Sequence, residues 1–470
     1  MAAVLVQRQV PYRRIQSNSI LQIGQHVLFL NETATTIWDL VDGKTEDTDL
    51  VTKLARQYPI VPFDQLAADA AGIIRRLIRA RALTYSDGHT DHIALSTFDK
   101  GSNSETGVTK NDSPFSICLT PKRDIANATT VRDRIESAYW QNHFIQKMHL
   151  ELTYRCNYRC VHCYNTTHSG KERELSTEQW MDVLHQLKEM NCHTVTLTGG
   201  ELFIRRDAMD IIEEASRLGF SILMNTNGSL VTDEVVDRLT SIKDSIQMLE
   251  VSFYGADQIT HDSLSRSFGG FTKSTRLLTL FTERGIPAMA KFITLKDNFA
   301  GIPIFEKTMR SLGAKYLISS GNLIPRTDRD QGPLVQLLTD EQYNKMLDTR
   351  PEDACPPGSL HMKDCQPGHV RGAITPDGSV SPCEWLTDFK LGNLKDAPLR
   401  EIWYSQSFST FRKVFEEDSD CPECSLNTSC QRCPAMSYLE TGNLQACAPV
   451  PRHYAELHQN WTETKETTVC

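Results

Sequence analysis

Three thiols stand in the run Cys156-Asn-Tyr-Arg-Cys160-Val-His-Cys163, a C-x3-C-x2-C spacing that lets all three converge on one small object. Two kinds of object suit them. A structural zinc site closes with four ligands and would need a further donor, either His162 or a distant residue. A four-iron cluster held by three cysteines keeps one iron free of protein, and an open iron can bind a substrate. The spacing alone leaves both readings standing. A second set of thiols lies in the C-terminal third: Cys355, Cys365, then Cys383 in Gly378-Ser-Val-Ser-Pro-Cys383, then Cys421, Cys424, Cys430 and Cys433, and finally Cys447. The two Cys-x2-Cys pairs suit a zinc ribbon, but a ribbon leaves Cys365, Cys383 and Cys447 without a role. Cys118, Cys192 and Cys470 read as incidental, because a buried cysteine is usually only a small hydrophobe.

Composition limits what those thiols are for. A chain of 470 residues with 40% apolar and 23% charged residues reads as a globular protein of several domains. No apolar run approaches the length of a membrane helix, and Met1-Ala-Ala-Val-Leu-Val-Gln-Arg-Gln lacks the cationic and apolar regions of a secretory signal. The expectation is a cytoplasmic protein without a membrane partner. In a reducing compartment 14 cysteines point to metal ligation or catalysis rather than disulfides. A net charge of -9 opposes general nucleic-acid binding, which needs a lysine and arginine surplus.

The elements that must position the first thiols form an alternating pattern. Strand candidates run over 149–152, 194–198, 221–226, 248–252, 289–294 and 315–319, with amphipathic helices between them. About six such units imply a parallel sheet in an open, partial barrel, an α/β fold whose chemistry sits at the carboxyl ends of the strands. The first helix is well punctuated: Ser176 and Gln179 form a capping box, and Trp180, Val183, Leu184 and Leu187 share its buried face. The three-cysteine run comes directly after the first strand. Gly199-Gly200-Glu201 comes after the second, Asn225-Thr-Asn227-Gly228 ends the third, and Ser252-Phe-Tyr-Gly255 ends the fourth.

Upstream, residues 10–86 read as a separate module, a hairpin around Gly24 and three helices in a winged-helix-like order. Asn31 is placed to cap the first helix, with Ala34, Ile37, Trp38 and Val41 on one face and Gly43 at its stop. From about 86 to 114 the chain turns polar, through Asp99-Lys-Gly-Ser-Asn-Ser-Glu-Thr-Gly, and is expected to act as a flexible tether that lets the module move. A bridging helix is expected over 124–143.

These motifs, in this order, resemble the radical S-adenosylmethionine superfamily. The resemblance implies that Cys156, Cys160 and Cys163 hold the catalytic four-iron cluster. It also implies that Gly199, Gly200 and Glu201 bind the methionine amino group of the cofactor, and that Asn225, Asn227 and Ser252 surround it. Arg266 is the candidate for its carboxylate, at a spacing that departs from the family pattern. The C-terminal thiols resemble the SPASM extension with two auxiliary clusters. Cys421, Cys424, Cys430 and Cys447 would hold the distal one, and Cys365, Cys383 and Cys433 the nearer one, with Cys355 either its fourth ligand or free. Asn31-Glu-Thr-Ala-Thr-Thr-Ile-Trp-Asp-Leu-Val-Asp-Gly43 resembles the PqqD-like recognition element that captures leader peptides by β-augmentation. Arg75, Arg76 and Arg79 are candidates to attract an acidic leader.

The expected architecture is a partial (β/α)6 radical SAM barrel with an N-terminal winged-helix-like module and a C-terminal cysteine-rich SPASM domain. The domains are 1–87, a linker 88–114, a bridging segment 115–147, the barrel 148–345 and the SPASM domain 346–470. The cysteine layout is most similar to sactisynthases. The implied activity is a radical SAM oxidoreductase with S-adenosylmethionine and three [4Fe-4S] clusters, one radical SAM and two auxiliary: the cluster of Cys156, Cys160 and Cys163 generates a 5′-deoxyadenosyl radical from S-adenosylmethionine, and a precursor peptide bound through its leader receives intramolecular thioether links. Electrons would come from a donor such as flavodoxin or ferredoxin. Carbon-carbon cyclisation or epimerisation is the alternative within the class, and an iron-sulfur winged-helix regulator is the alternative outside it. No general base stands out.

Overall fold

The computed structural model describes residues 4–23, 26–86, 108–111, 130–165, 168, 174–319, 323–350, 367–416, 421, 423–426, 429–430 and 433–468. Its centre is one sheet. β7 (Lys147–Glu151), β8 (Thr194–Thr198), β9 (Ser221–Thr226), β10 (Ile246–Phe253), β11 (Ala288–Phe292) and β12 (Lys315–Ile318) lie side by side in chain order, every pair parallel. The apolar runs seen in the sequence are these strands, and Val195, Leu197, Ile222, Met224, Leu249 and Val251 are fully buried. Helices on the outer face complete the partial barrel. In α5 (Thr177–Glu189) the capping box is present, with Gln179 N donating to Ser176 Oγ at 3.3 Å and Ser176 N to Gln179 Oε1 at 2.9 Å. Trp180, Val183, Leu184 and Leu187 point inward, as their spacing predicts.

The sheet does not stop at β7. β13 (Arg371–Ile374) pairs with it in parallel, and β14 (Ser379–Ser381) and β15 (Gly392–Asn393) continue antiparallel, giving nine strands in all. The C-terminal domain is therefore an extension of the barrel sheet.

The N-terminal module has a sheet of its own. β2 (Tyr12–Ile15), β3 (Asn18–Ile23) and β4 (His26–Leu30) are antiparallel neighbours, and β1 (Leu5–Gln7) pairs separately with β5 (Leu83–Tyr85). α1 (Glu32–Leu40), α2 (Asp47–Gln57) and α3 (Phe63–Arg79) cover one face. Asn31 caps α1, its Oδ1 accepting from Ala34 N at 2.9 Å. The sheet alternates with period two: Leu21, Ile23, Leu28 and Leu30 face these helices, while Ile20, Val27 and Phe29 face α4 (Val131–Asn142). Burial on both faces explains why β3 is buried throughout. The expected bridging helix is α4, and the part assigned to 124–129 lies outside the described residues.

Two expectations need correction. The module does not stand apart from the barrel. Arg13 is buried against the amino ends of the barrel strands, donating to Cys192 O at 2.6 Å, Gly219 O at 2.8 Å and Leu218 O at 3.3 Å, with its guanidinium 4.5 Å from the Phe220 ring centroid. Arg8 pairs with Asp244 on the same side, and Tyr139 Oη of α4 donates to Asn191 O at 3.0 Å. Tether composition reports only what the linker cannot bury and is silent about a docking face elsewhere. Nor is the polar stretch wholly without structure, because β6 (Val108–Asn111) pairs antiparallel with β4. Backbone hydrogen bonds to an open edge need no apolar side chains.

Candidate active site

The loop that leaves β7 carries Cys156, Cys160 and Cys163 over the carboxyl ends of the strands. It is seated on the loop after β8 by backbone contact. Gly200 N donates to Thr153 O at 2.7 Å and Glu201 N to Arg155 O at 2.9 Å. A Cβ at Gly199 would lie 2.3 Å from Thr153 O, and one at Gly200 would lie 2.4 Å from Arg155 O. Gly199 also has φ +144°. The glycine pair is required where two loop backbones touch.

All three cysteines open on one cavity of about 360 Å³. Gly199, Gly200, Asn225, Asn227 and Ser252 line it too, so the structure gathers these residues with the thiols. Two others lie elsewhere. Glu201 is buried, and its carboxylate accepts from Thr226 Oγ1 at 2.7 Å, Asn227 N at 2.7 Å and Phe203 N at 3.1 Å. It ties the β8 loop to the end of β9. Arg266 is an exposed left-handed residue that ends α8 (Gln258–Ser265), outside the cavity lining.

The donor chemistry suits iron. Burial raises the Cys156 thiol to about 11 and pushes Cys160 and Cys163 up as well. Such thiols keep their protons at neutral pH until a metal replaces them. Among the described residues no three His, Cys, Asp or Glu side chains are gathered as a single metal ion needs, whereas the three thiols share one cavity wall, an arrangement that fits separate irons of a larger cluster.

In the C-terminal domain Cys383 is buried and packs in one apolar group with Cys433, which stands at the start of α14 (Pro434–Thr441). Cys421, Cys424, Cys430 and Cys447 are partly or fully exposed. Arg452, in α15 (Pro449–Thr468), is raised first by its bond to Glu456 and further by Cys447 and Cys424, which places both thiols in its neighbourhood. Cys355 and Cys365, like the incidental Cys118 and Cys470, lie outside the described residues. Cys192 is buried in the barrel core, as a small hydrophobe would be.

The cavity holds further polar residues that the motifs do not announce. Lys291 Nζ sits 2.7 Å from Glu250 Oε2, and the Asn225 amide, oriented to donate, reaches Glu250 Oε2 at 3.3 Å. These three come from neighbouring strands, with Glu250 opposite Asn225 in the register. Glu384 and Trp385 bring the SPASM-side turn into the wall. Burial opposes ionisation of Glu384, yet its carboxyl is held down at about 2 by nearby cations. His149 is itself pushed down to about 4 by burial, so Arg371 and Lys147 are the charges that act at neutral pH. The signal for Glu250 and Ser252 was legible: polar residues at period two between Leu249, Val251 and Phe253 at the carboxyl end of the strand.

Three family models match the chain. The radical SAM superfamily matches residues 150–304, an iron-sulfur cluster-binding domain, SPASM, matches 365–434, and the coenzyme PQQ synthesis protein D model, PqqD, matches 19–83. The barrel is a radical SAM domain, flanked by PqqD and SPASM domains. An AdoMet-dependent heme synthase of Nitratidesulfovibrio vulgaris is 25% identical over 336 residues, 64% of this chain and 90% of that protein. Another from Oleidesulfovibrio alaskensis is 26% identical over 340 residues, 64% of this chain and 85% of that protein. Among solved structures, Streptococcus suis SuiB bound to precursor peptide SuiA superposes with a TM-score of 0.57 at 14% identity, covering 95% of this chain and 99% of that one. Native anSMEcpe with bound AdoMet has a TM-score of 0.55 at 17% identity, covering 67% and 96%. At these identities the structural likeness is one of fold. Among the described residues no helix is long and apolar enough to cross a membrane.

Proposed function

We propose that this chain is a cytoplasmic radical SAM maturase of a ribosomally synthesised precursor peptide and that it forms intramolecular thioether links from cysteine sulfur to carbon. The reading rests on one observation: a PqqD domain is packed on the same radical SAM sheet that carries the three-cysteine cavity. When bound, the iron-sulfur cluster and S-adenosylmethionine supply an electron and a carbon radical able to remove hydrogen from a peptide carbon. The chain's own residues hold and screen that chemistry. Cys156, Cys160 and Cys163 would ligate the cluster. Asn225, Asn227 and Ser252 present polar groups to the cofactor, and Glu201 acts through Thr226 and Asn227, which it orients. Cys365, Cys383 and Cys433, with Cys355, and the set Cys421, Cys424, Cys430 and Cys447 would hold two auxiliary clusters, which would supply an electron acceptor. A flavodoxin or ferredoxin is the donor.

The test is an anaerobic reaction on candidate cysteine-containing peptides, taken from whatever short reading frames flank the gene. Each thioether removes one hydrogen pair and makes one thiol unavailable to alkylation. A product that loses hydrogen while every thiol remains alkylatable refutes the thioether and favours a carbon-carbon link; unchanged mass with inverted residues favours epimerisation. A second reading, a tetrapyrrole substrate, is favoured by the 25% and 26% identity to AdoMet-dependent heme synthases. Turnover of a porphyrin precursor, with none of the peptide, would establish it instead.

A further inference from the structure

The outer edge of β4 is filled by a strand from outside the module. β6 pairs with it antiparallel in the register Leu30↔Val108, Phe29↔Thr109, Leu28↔Lys110 and Val27↔Asn111. The other side of β4 is taken by β3. The filling strand lies beyond residues 19–83, which the PqqD model matches, and within the polar stretch that joins the module to the rest of the chain. Without β6, β4 would present its free N–H and C=O groups along an open edge, the surface to which an extended peptide adds.

We infer that β6 is a displaceable self-strand, covering the β4 edge until an extended segment of the precursor leader takes its place. This rests on the peptide-maturase reading and says what guards its capture site. The register shows that the edge accepts an antiparallel strand. The occupant is a poor one: four residues long, with Thr, Lys and Asn after Val108, of which Lys and Asn are depleted in strands. What it has instead is a covalent connection that keeps its local concentration high. A leader segment wins by offering a longer strand with β-branched or aromatic residues at alternate positions, and an unrelated short peptide does not. The guard thereby sets a threshold for capture and hides an edge that would otherwise invite strand-to-strand aggregation.

The test changes the self-strand in both directions in the full chain. In an antiparallel pair alternate residues aim their N–H at the partner, so Thr109→Pro with Lys110→Pro removes at least one ladder bond. Lys110→Ile with Asn111→Val strengthens the strand. The probe is a set of labelled synthetic twenty-residue peptides tiling any short reading frames that flank the gene, with binding read by fluorescence anisotropy. The tile bound by the unaltered chain should bind the proline variant at least fivefold more tightly and the Ile/Val variant at least threefold more weakly. Amide exchange at 27–30 should also rise in the proline variant before any peptide is added. Equal affinities in all three chains, or weaker binding by the proline variant, would overturn the self-strand and leave leader capture in place. If no tile binds any of the three, capture itself fails and this inference falls with it.

Discussion

At the carboxyl ends of the barrel strands the cavity wall holds groups that lack partners, among them His149 Nε2 and His162 Nδ1, together with three thiols that burial keeps protonated. At the amino ends of the same strands the N-terminal module is held by carbonyls that accept from Arg13 and by two aromatic contacts, with Phe220 beneath the guanidinium and Tyr139 bonded to Asn191 O. One end opens its thiols and imidazoles on a cavity, and the other turns its carbonyls to assembly. The difference separates what must bind something from what must hold still, and it ranks what mutations do.

The largest effect is expected where the cysteine loop touches the β8 loop. Gly199→Ala would drive a Cβ to 2.3 Å from a backbone oxygen that has nowhere to go. It should destabilise the loop by ~3 kcal/mol or more and abolish iron uptake by Cys156, Cys160 and Cys163. Gly313 has φ +63° but nothing within 4 Å of a Cβ. Gly313→Ala should therefore cost only about 1 kcal/mol and leave the iron content intact. Iron analysis after anaerobic reconstitution separates the two, and similar losses in both would mean that backbone strain, not loop contact, governs the site.

Next comes the opposite end. Arg13→Ala leaves three barrel carbonyls without their charged donor and uncovers Phe220. It should weaken docking by about 2–4 kcal/mol, seen as faster amide exchange in α4 and as an early melting step of the module. Cofactor cleavage at the far end should persist. A chain that melts as one unit at the original temperature would show that the Arg8 pair and the α4 contacts suffice to hold the module.

The barrel could be read from sequence because its signals are local. Alternating apolar runs, the Ser176 and Gln179 box and the order of the three motif loops each act over a few residues, and they place six strands to within two residues or so of their ends. Arg13 was not readable. Its partners Cys192, Leu218 and Gly219 are backbone carbonyls, and a carbonyl has no sequence signature. β6 was missed for the same reason, since edge pairing is a property of the backbone, and its Thr, Lys and Asn look like linker. At the site the motifs named the thiols and the polar strand ends, while Glu201 shows that a motif residue can do its bonding inward, to Thr226 and Asn227. Lys291 escaped because it belongs to no motif.

A smaller effect tests the buried carboxyl beside the cavity. Burial raises Glu151 to about 8, opposed by its bond from Tyr164 Oη at 3.2 Å. In the folded chain it is protonated at neutral pH, whereas in the unfolded chain it ionises near its ordinary value. The unfolded state therefore binds fewer protons between about 4.5 and 8, and stability falls as pH rises through that window. Glu151→Gln keeps the acceptor and removes the titration. The variant should lose only the fall that this carboxyl contributes, keep the rise with pH that neutral buried histidines such as His149 give below about 6.5, and gain on the unaltered chain by about 1–3 kcal/mol at pH 8. A parallel pH dependence in the two proteins would place the titration elsewhere.

The smallest effect on stability should come from the ion pair in the cavity, and that is what makes it informative. Lys291 and Glu250 side chains are 33% and 24% exposed, so their pairing is screened and its loss should shift folding stability by less than about 1 kcal/mol. Its consequence lies in the row of strand residues. Glu250 takes the amide of Asn225, and Lys291 fixes Glu250, so Lys291→Met frees the carboxylate to turn and releases Asn225 from its place on the wall. Affinity for S-adenosylmethionine should drop roughly tenfold, the size of effect expected when one charge-assisted contact of about 1.4 kcal/mol is lost. Adding Glu250→Gln to Lys291→Met removes the uncompensated charge and should recover part of that affinity, whereas two independent structural losses would add. Calorimetric binding beside a thermal melt reads both quantities at once. If the melt falls while affinity stays, the pair is a brace between β10 and β11; if affinity falls while the melt stays, the carboxyl end of the barrel has a positioning residue that no motif announced.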